Sequence, residues 1–177
     1  HIPPLLARTP HAARVSELPL RTRFETLLIG SLDEASTLQA ALKGWITSTH
    51  GASDVALSVR LLPDQYSAAD RLRLWTELMA SVTDPLPPES RILIARQIRC
   101  YNGLLRDDLF PLAFLWHSAV IVASPSALAE RHAVEALASG RPVVVLGPTP
   151  WSSLTVKECL HADPAAPVEG TARLLAA

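Results

Sequence analysis

VIVASPSALAERHAVEALASGRPVVVLG, residues 120–147, is the stretch that decides the fold. Ala119 to Ala123 is a short apolar run of the length of a buried strand, and it delivers the chain to Ser124-Pro125-Ser126. From Ala127 to Ser139 the pattern is helical, with Ala133, Ala136 and Ala138 small enough to let the helix lie close on a sheet. Gly140 supplies the left-handed turn that ends such a helix. Pro142 to Leu146 is a second apolar strand, stopped by Gly147-Pro148. Both strands are continuously apolar rather than alternating, which means that both of their faces are covered. A strand, a helix and a second such strand therefore predict a parallel sheet between two helical layers.

The same cycle runs outward from this unit. Phe24 to Ile29 is an apolar strand ending at Gly30. A helix follows from Asp33 or Glu34, with Leu38, Ala41, Leu42, Trp45 and Ile46 on one face. Asp54 to Leu62 predicts a second strand, stopped at Pro63, and Ser67 caps a helix with Leu72, Trp75, Met79 and Val82 on one face. Three prolines make Thr83 to Ser90 a loop, and Arg91 to Ile98, centred on Ile92-Leu93-Ile94, reads as a third strand. Asp107 to Trp116 is a short helix with Pro111 in its first turn, where a missing N–H costs little. Thr155 to Leu160 and Thr171 to Ala176 are short helical candidates. Residues 1–23 hold four prolines without periodicity and read as a Pro-rich arm or linker; residues 24–177 form the domain. The fold class is α/β: a doubly wound parallel sheet, a Rossmann-like three-layer sandwich. Ligands of such sheets bind beyond the carboxyl ends of the strands. Function is therefore expected in the loops after Ile29, Leu62, Ile98, Ala123 and Leu146.

Composition narrows the classes. The 177 residues are 49% hydrophobic and 19% charged, with a net charge of −1 and a pI near 6.6. That is a globular balance, without the basic surplus of a nucleic-acid binder. Cys100 and Cys159 lack CxxC spacing and read as reduced thiols, which fits a cytoplasmic protein. No apolar run reaches the ~20 residues of a membrane helix, and no signal peptide is visible. Basic charge is almost all arginine, Lys43 and Lys157 being the only lysines, and with the Ala, Leu and Pro content this suggests a bacterial source. No Gly-x-Ser-x-Gly elbow, GxGxxG or Walker pattern occurs, and the six histidines have no metal spacing. Neither a cofactor nor a metal is expected.

The chemistry sits in the opening stretch. A helix that begins at Ser126 points its first N–H groups back over the strand ends, where they can hold a phosphate. Glu135 in the helix body carries a carboxylate able to accept hydrogen bonds from two vicinal hydroxyls, as a ribose presents them. It reads equally as a solvated glutamate of an amphipathic helix. His132 has two readings, a phosphate or sugar contact and a structural histidine. Ser124, Ser152 and Ser153 can donate to phosphate or cap turns, and Trp151 can stack on a base or fill a core.

These residues resemble the donor-binding signature of GT-B glycosyltransferases of group 1, also called GT4. Pro125-Ser126 matches the Pro-Ser at the end of that family's strand. Residues 135–144, from Glu135-Ala136 to Val143-Val144, match Glu-Ala-x-Ala-x-Gly-x-Pro-Val-Val in order and spacing. The resemblance spans residues 24 to 155, and its specific part is 119–147. It implies a C-terminal domain that binds a nucleotide-sugar and transfers a hexosyl group together with an N-terminal acceptor-binding domain or partner chain. It makes Glu135 the ribose ligand and Glu130 the candidate for the upstream acid on the donor sugar. Ser126, His132, Gly30 and Ser31 complete the implied donor-binding set. The sequence departs from the family in three places. The loop Gly30-Ser31-Leu32-Asp33-Glu34 lacks the family's Arg and Lys, no glycine lies between Gly103 and Gly140, and Glu130 and Glu135 are only five apart. Those departures keep two alternatives open: a degenerate, non-catalytic GT-B-like module used for protein interaction or scaffolding, and an epimerase of the same fold.

Overall fold

A computed structural model of the chain describes residues 24–49, 52–101, 110–147 and 159–162. Six strands form one sheet: β1 Phe24–Gly30, β2 Val55–Leu61, β3 Ile98–Tyr101, β4 Ala119–Ala123, β5 Val143–Leu146 and β6 Leu160–Ala162. Their order is β3-β2-β1-β4-β5-β6, and every pairing is parallel. The helices are α1 Ala35–Ser48, α2 Ala68–Thr83, α3 Pro88–Gln97, α4 Phe110–Trp116 and α5 Ala127–Ala138. The protein is thus an α/β doubly wound sandwich of the Rossmann kind.

Alternation along each strand divides the core. Leu28, Leu57, Val59, Ile121, Ala123 and Val144 point to one side, where α1, α2 and α3 cover them. Leu27, Ile29, Val120, Val122, Val143 and Val145 point to the other, under α4 and α5. The expected stripe of α1 is buried residue for residue, and Trp45 at its centre is fully enclosed. Ser67 caps α2 as expected, its Oγ accepting from the Asp70 N–H at 3.1 Å. The stripe of α2 is rotated, however. Leu78 and Val82 are buried and Leu74, Trp75 and Met79 pack beside them, while Leu72 faces solvent.

Two elements differ from expectation. The segment read as a third strand, Arg91 to Ile98, is the body of α3, and β3 begins only at Ile98. Pro88 stands in the first turn with Glu89, and Arg96 lies in the last, so both ends match the helix dipole. Those termini outweigh the β preference of an Ile-Leu-Ile run. That run is split by the helix, with Ile94 buried and Ile92 exposed. Leu160, read as the end of a helix, opens β6, which pairs with β5. The arm over residues 1–23, the beginnings of the helical segments proposed from Asp107 and Thr155, and the segment Thr171 to Ala176 lie outside the described residues.

The end of α5 follows the glycine rule. Gly140 has φ of +70°, its N–H donates to Leu137 O at 2.9 Å, and Arg141 N–H donates to Ala136 O at 3.0 Å. A Cβ on Gly140 would meet nothing within 4 Å, so substitution strains only the backbone. Gly140→Ala is expected to cost about 1 kcal/mol, read as a melting temperature roughly 2–4 °C lower.

Candidate functional site

In the order 3-2-1-4-5-6 the connections reverse direction between β1 and β4, and the crevice at that switch point is where such sheets take ligands. The carboxyl ends of β1 and β4 are in register there, Gly30 opposite Ala123. Gly30 lets β1 end against α1, because a Cβ on it would stand 2.7 Å from Leu38 Cδ1. Ser31 follows, buried, with its Oγ accepting from the Asp33 N–H at 3.2 Å. Across the crevice Ser124 is also buried; its Oγ donates to Ser126 Oγ at 3.2 Å and accepts from the Ser126 N–H at 3.3 Å. Ser126 in turn caps α5, its Oγ accepting from the Ala129 N–H at 3.2 Å. The remaining first-turn N–H groups, those of Ala127 and Leu128, carry the positive end of the helix dipole beyond β4.

The neighbouring loops bring acids. Glu34, at the start of α1, is half-buried, and burial pushes its carboxyl above the usual range; the Ser124 hydroxyl beside it works against that rise, and Asp33 adds to it. A hydrogen bond with Asp33 pushes the exposed Tyr66 phenol up, helped by the charge of Asp33. Asp64 after β2 takes the Arg71 guanidinium on its Oδ1, at 3.0 Å from Nε and 2.7 Å from Nη2, together with the Tyr66 N–H at 3.0 Å. Arg60 is buried within β2, and Arg71 is engaged by Asp64. Sequence reasoning did not single out Glu34, Asp64 or Tyr66, although an acidic loop directly after the first strand was visible.

The structure thus brings Gly30, Ser31 and Ser126 together at the switch point. Glu130 lies half-buried in the first turn of α5. Glu135 lies eight residues beyond Ala127, about 12 Å along the axis. Five residues at 100° each separate Glu130 and Glu135 by about 140° around the helix. His132 is buried on the face of α5 that also carries Ala129, Ala133 and Ala136. Its Nδ1 is 3.1 Å from Glu135 Oε2, while the Arg131 Nε–H donates to Glu135 Oε1 at 2.9 Å. His132 therefore steadies Glu135 from beneath. Ser152, Ser153 and Trp151 lie outside the described residues. Cys100, in β3, is a free thiol that burial pushes up to about 12, so it offers no thiolate at neutral pH. Among the described residues no helix is long and apolar enough to cross a membrane.

Sheet order and crevice define a doubly wound α/β domain of the Rossmann kind. Solved structures of glycosyltransferase-type proteins share this fold. The C-terminal domain of a group 1 glycosyltransferase (LpcC) from Francisella tularensis superposes with a TM-score of 0.66 at 14% identity, covering 92% of this chain and 78% of that one. A UDP-forming α,α-trehalose-phosphate synthase from Burkholderia vietnamiensis gives 0.68 at 14% identity over 97% of this chain and 40% of its own. The E. coli trehalose-6-phosphate protein solved bound with UDP-2-fluoro glucose gives 0.64 at 13% identity, over 96% and 40%. The chain thus spans about two-fifths of the length of these last two proteins. The sequence matches no protein-family profile and no curated protein.

Proposed function

We propose that this domain is the donor-binding half of a hexosyl-transferring glycosyltransferase and that its ligand is a nucleotide-sugar. The observation that carries the reading is the coincidence of two features. The switch point of the sheet lies against the serine-capped start of α5, and α5 carries Glu135 in the Glu-Ala-x-Ala-x-Gly-x-Pro-Val-Val sequence. In this reading the N–H groups of Ala127 and Leu128 and the hydroxyls of Ser31 and Ser126 hold the diphosphate. They stabilise the charge that develops on it as the glycosyl bond breaks. Glu135 accepts from the ribose hydroxyls, and Glu130, one turn nearer the crevice, faces the sugar. No metal or cofactor takes part. The acceptor is held by a second domain, a reading supported by the chain's covering only about two-fifths of the trehalose-phosphate neighbours, and the reaction belongs to the cytoplasm of a bacterium.

One observation favours the second reading, a non-catalytic module of the same fold. The crevice is flanked by Asp33, Glu34 and Asp64, and acids repel a diphosphate. A thermal-shift series with UDP, GDP, ADP and their sugar conjugates separates the two. UDP comes first, because the E. coli neighbour holds a UDP-sugar analogue. At about 100 times Kd a ligand adds roughly 2.7 kcal/mol, which raises the melting temperature by roughly 5–10 °C in a domain of this size. A shift with one base supports the donor site; no shift with any of them at millimolar concentration supports the module.

A further inference from the structure

At the opposite, amino end of the sheet lies a buried polar cluster that the donor reading leaves unused. Glu25 is the second residue of β1, Ser58 lies in β2, and His117 joins α4 to β4. All three are buried, with exposures of 8%, 0% and 7%. The Ser58 Oγ–H donates to Glu25 Oε1 at 2.6 Å. His117 Nδ1 stands 2.6 Å from the carbonyl oxygen of Ala113. A carbonyl only accepts, so Nδ1 carries the ring's proton. Nε2 of the neutral ring is then a bare acceptor. It lies 3.7 Å from Glu25 Oε1 and has no hydrogen-bond partner among the described residues. Two acceptors face each other at a distance too long for a hydrogen bond, with a place for one proton between them.

We propose that Glu25, Ser58 and His117 form a proton-operated latch, in which a proton taken up at His117 Nε2 draws the Glu25 carboxyl toward His117, so that Ser58 no longer holds it alone. The new Nε2–H···Oε1 bond would close from 3.7 Å to about 2.8 Å. Glu25 Oε1, now shared between the Ser58 hydroxyl and the imidazolium, would tie β1 to the α4–β4 junction instead of to β2 alone.

The charges around the ring fix the pH at which the latch works. Burial holds the His117 imidazole below its usual range; the Ala113 carbonyl and Glu25 work upward, and Arg141 works downward. Arg141 reaches the same junction from the start of β5, donating from Nε to Phe114 O at 2.8 Å and from Nη2 to Leu115 O at 3.1 Å. From the sheet, Arg60 and Arg99 share the face of Ser58, two residues on and directly across in register. His117 is therefore neutral at pH 7. A depressed folded-state pKa means that the unfolded chain binds the proton more tightly. The stability held by neutral His117 is fully present above about pH 6.5 and is lost as pH falls toward the folded-state value.

Heteronuclear NMR titration of the His117 ring in the full chain tests the latch. The expected spectrum at pH 7.5 is the Nδ1–H tautomer, with a titration midpoint below about 6.5. Glu25→Gln removes the partner charge and should weaken the proton affinity of His117 by about tenfold or more. Ser58→Ala frees Oε1 for His117 and should strengthen it. A histidine that feels Glu25 only through its charge, with no movement of the carboxyl, would respond to Glu25→Gln and not to Ser58→Ala. An Nε2–H tautomer, or a midpoint that Ser58→Ala does not raise, overturns the proposal. If Glu25→Gln does not fold, the direction of the Ser58→Ala shift alone decides, because removing one hydroxyl leaves the strand packing intact.

Discussion

Trp45→Ala is expected to lower the melting temperature by roughly 6–20 °C, the largest effect of any substitution considered in the core. The indole is fully enclosed between α1 and the sheet, among Leu28, Leu57, Val59 and Ile121. Its removal forfeits the transfer free energy of the ring and leaves a cavity, together about 3–5 kcal/mol. For a chain of 150–250 residues each kcal/mol is worth roughly 2–4 °C. A companion variant separates volume from polarity. Trp45 Nε1 is buried with no hydrogen-bond partner among the described residues. Such a donor carries a desolvation penalty of about 1–3 kcal/mol, which Trp45→Phe releases while it gives up part of the ring. Trp45→Phe is therefore expected to cost less than about 1.5 kcal/mol. Thermal melts of both variants give the comparison. Equal losses for Ala and Phe would mean that the indole N–H is satisfied after all.

Glu135→Ala is expected to weaken nucleotide binding about 10- to 100-fold and to leave the unliganded melting temperature within about 2 °C. Hydrogen bonds to a charged group are worth about 1.5–3 kcal/mol each, and each 1.4 kcal/mol is tenfold in affinity. The structural cost is small because the Arg131–Glu135 pair is largely exposed on the arginine side, and such i,i+4 pairs contribute about 0.3–0.5 kcal/mol. The contact of Glu135 with buried His132 is the complication, since truncation strips the imidazole of that partner. Glu135→Gln keeps an acceptor for His132 and still removes the charge. Isothermal titration with the nucleotide identified by thermal shift gives the affinities. Unchanged affinity in both variants would make Glu135 an ordinary helix carboxylate that orders His132.

Most of the sheet was legible because β1, β4 and β5 bury apolar residues on both faces, as a doubly covered parallel sheet requires, and β2 carries Val55, Leu57, Val59 and Leu61 on one. The end of α5 was equally legible, since Gly140 and Pro142 punctuate it. The third strand was misplaced because Ile92-Leu93-Ile94 is short, and periodicity cannot separate a short apolar strand from one turn of a helix. The decisive signals were Pro88 in the first turn and Arg96 in the last, which work through termini rather than through the run itself. β6 has three residues, too few for any pattern. In the candidate site, the start of α5 at its Ser126 cap was reachable from local order. The approach of Glu34 to Ser124 was not, because it depends on β1 and β4 becoming neighbours, some ninety residues apart in the chain. The same holds for Glu25, Ser58 and His117, three polar residues on three elements that meet only in the folded sheet.

The central claim is that a nucleoside diphosphate enters the crevice between β1 and β4. The most direct measurement is amide chemical-shift mapping of the isotopically labelled chain titrated with UDP, GDP and ADP. The expected result is saturable perturbation of Ser31, Ser126, Ala127 and Leu128, with Glu135 moving in the same titration, for one base in preference to the others. Perturbations confined to the amino end of the sheet, or none at millimolar nucleotide, would contradict a donor site at this crevice.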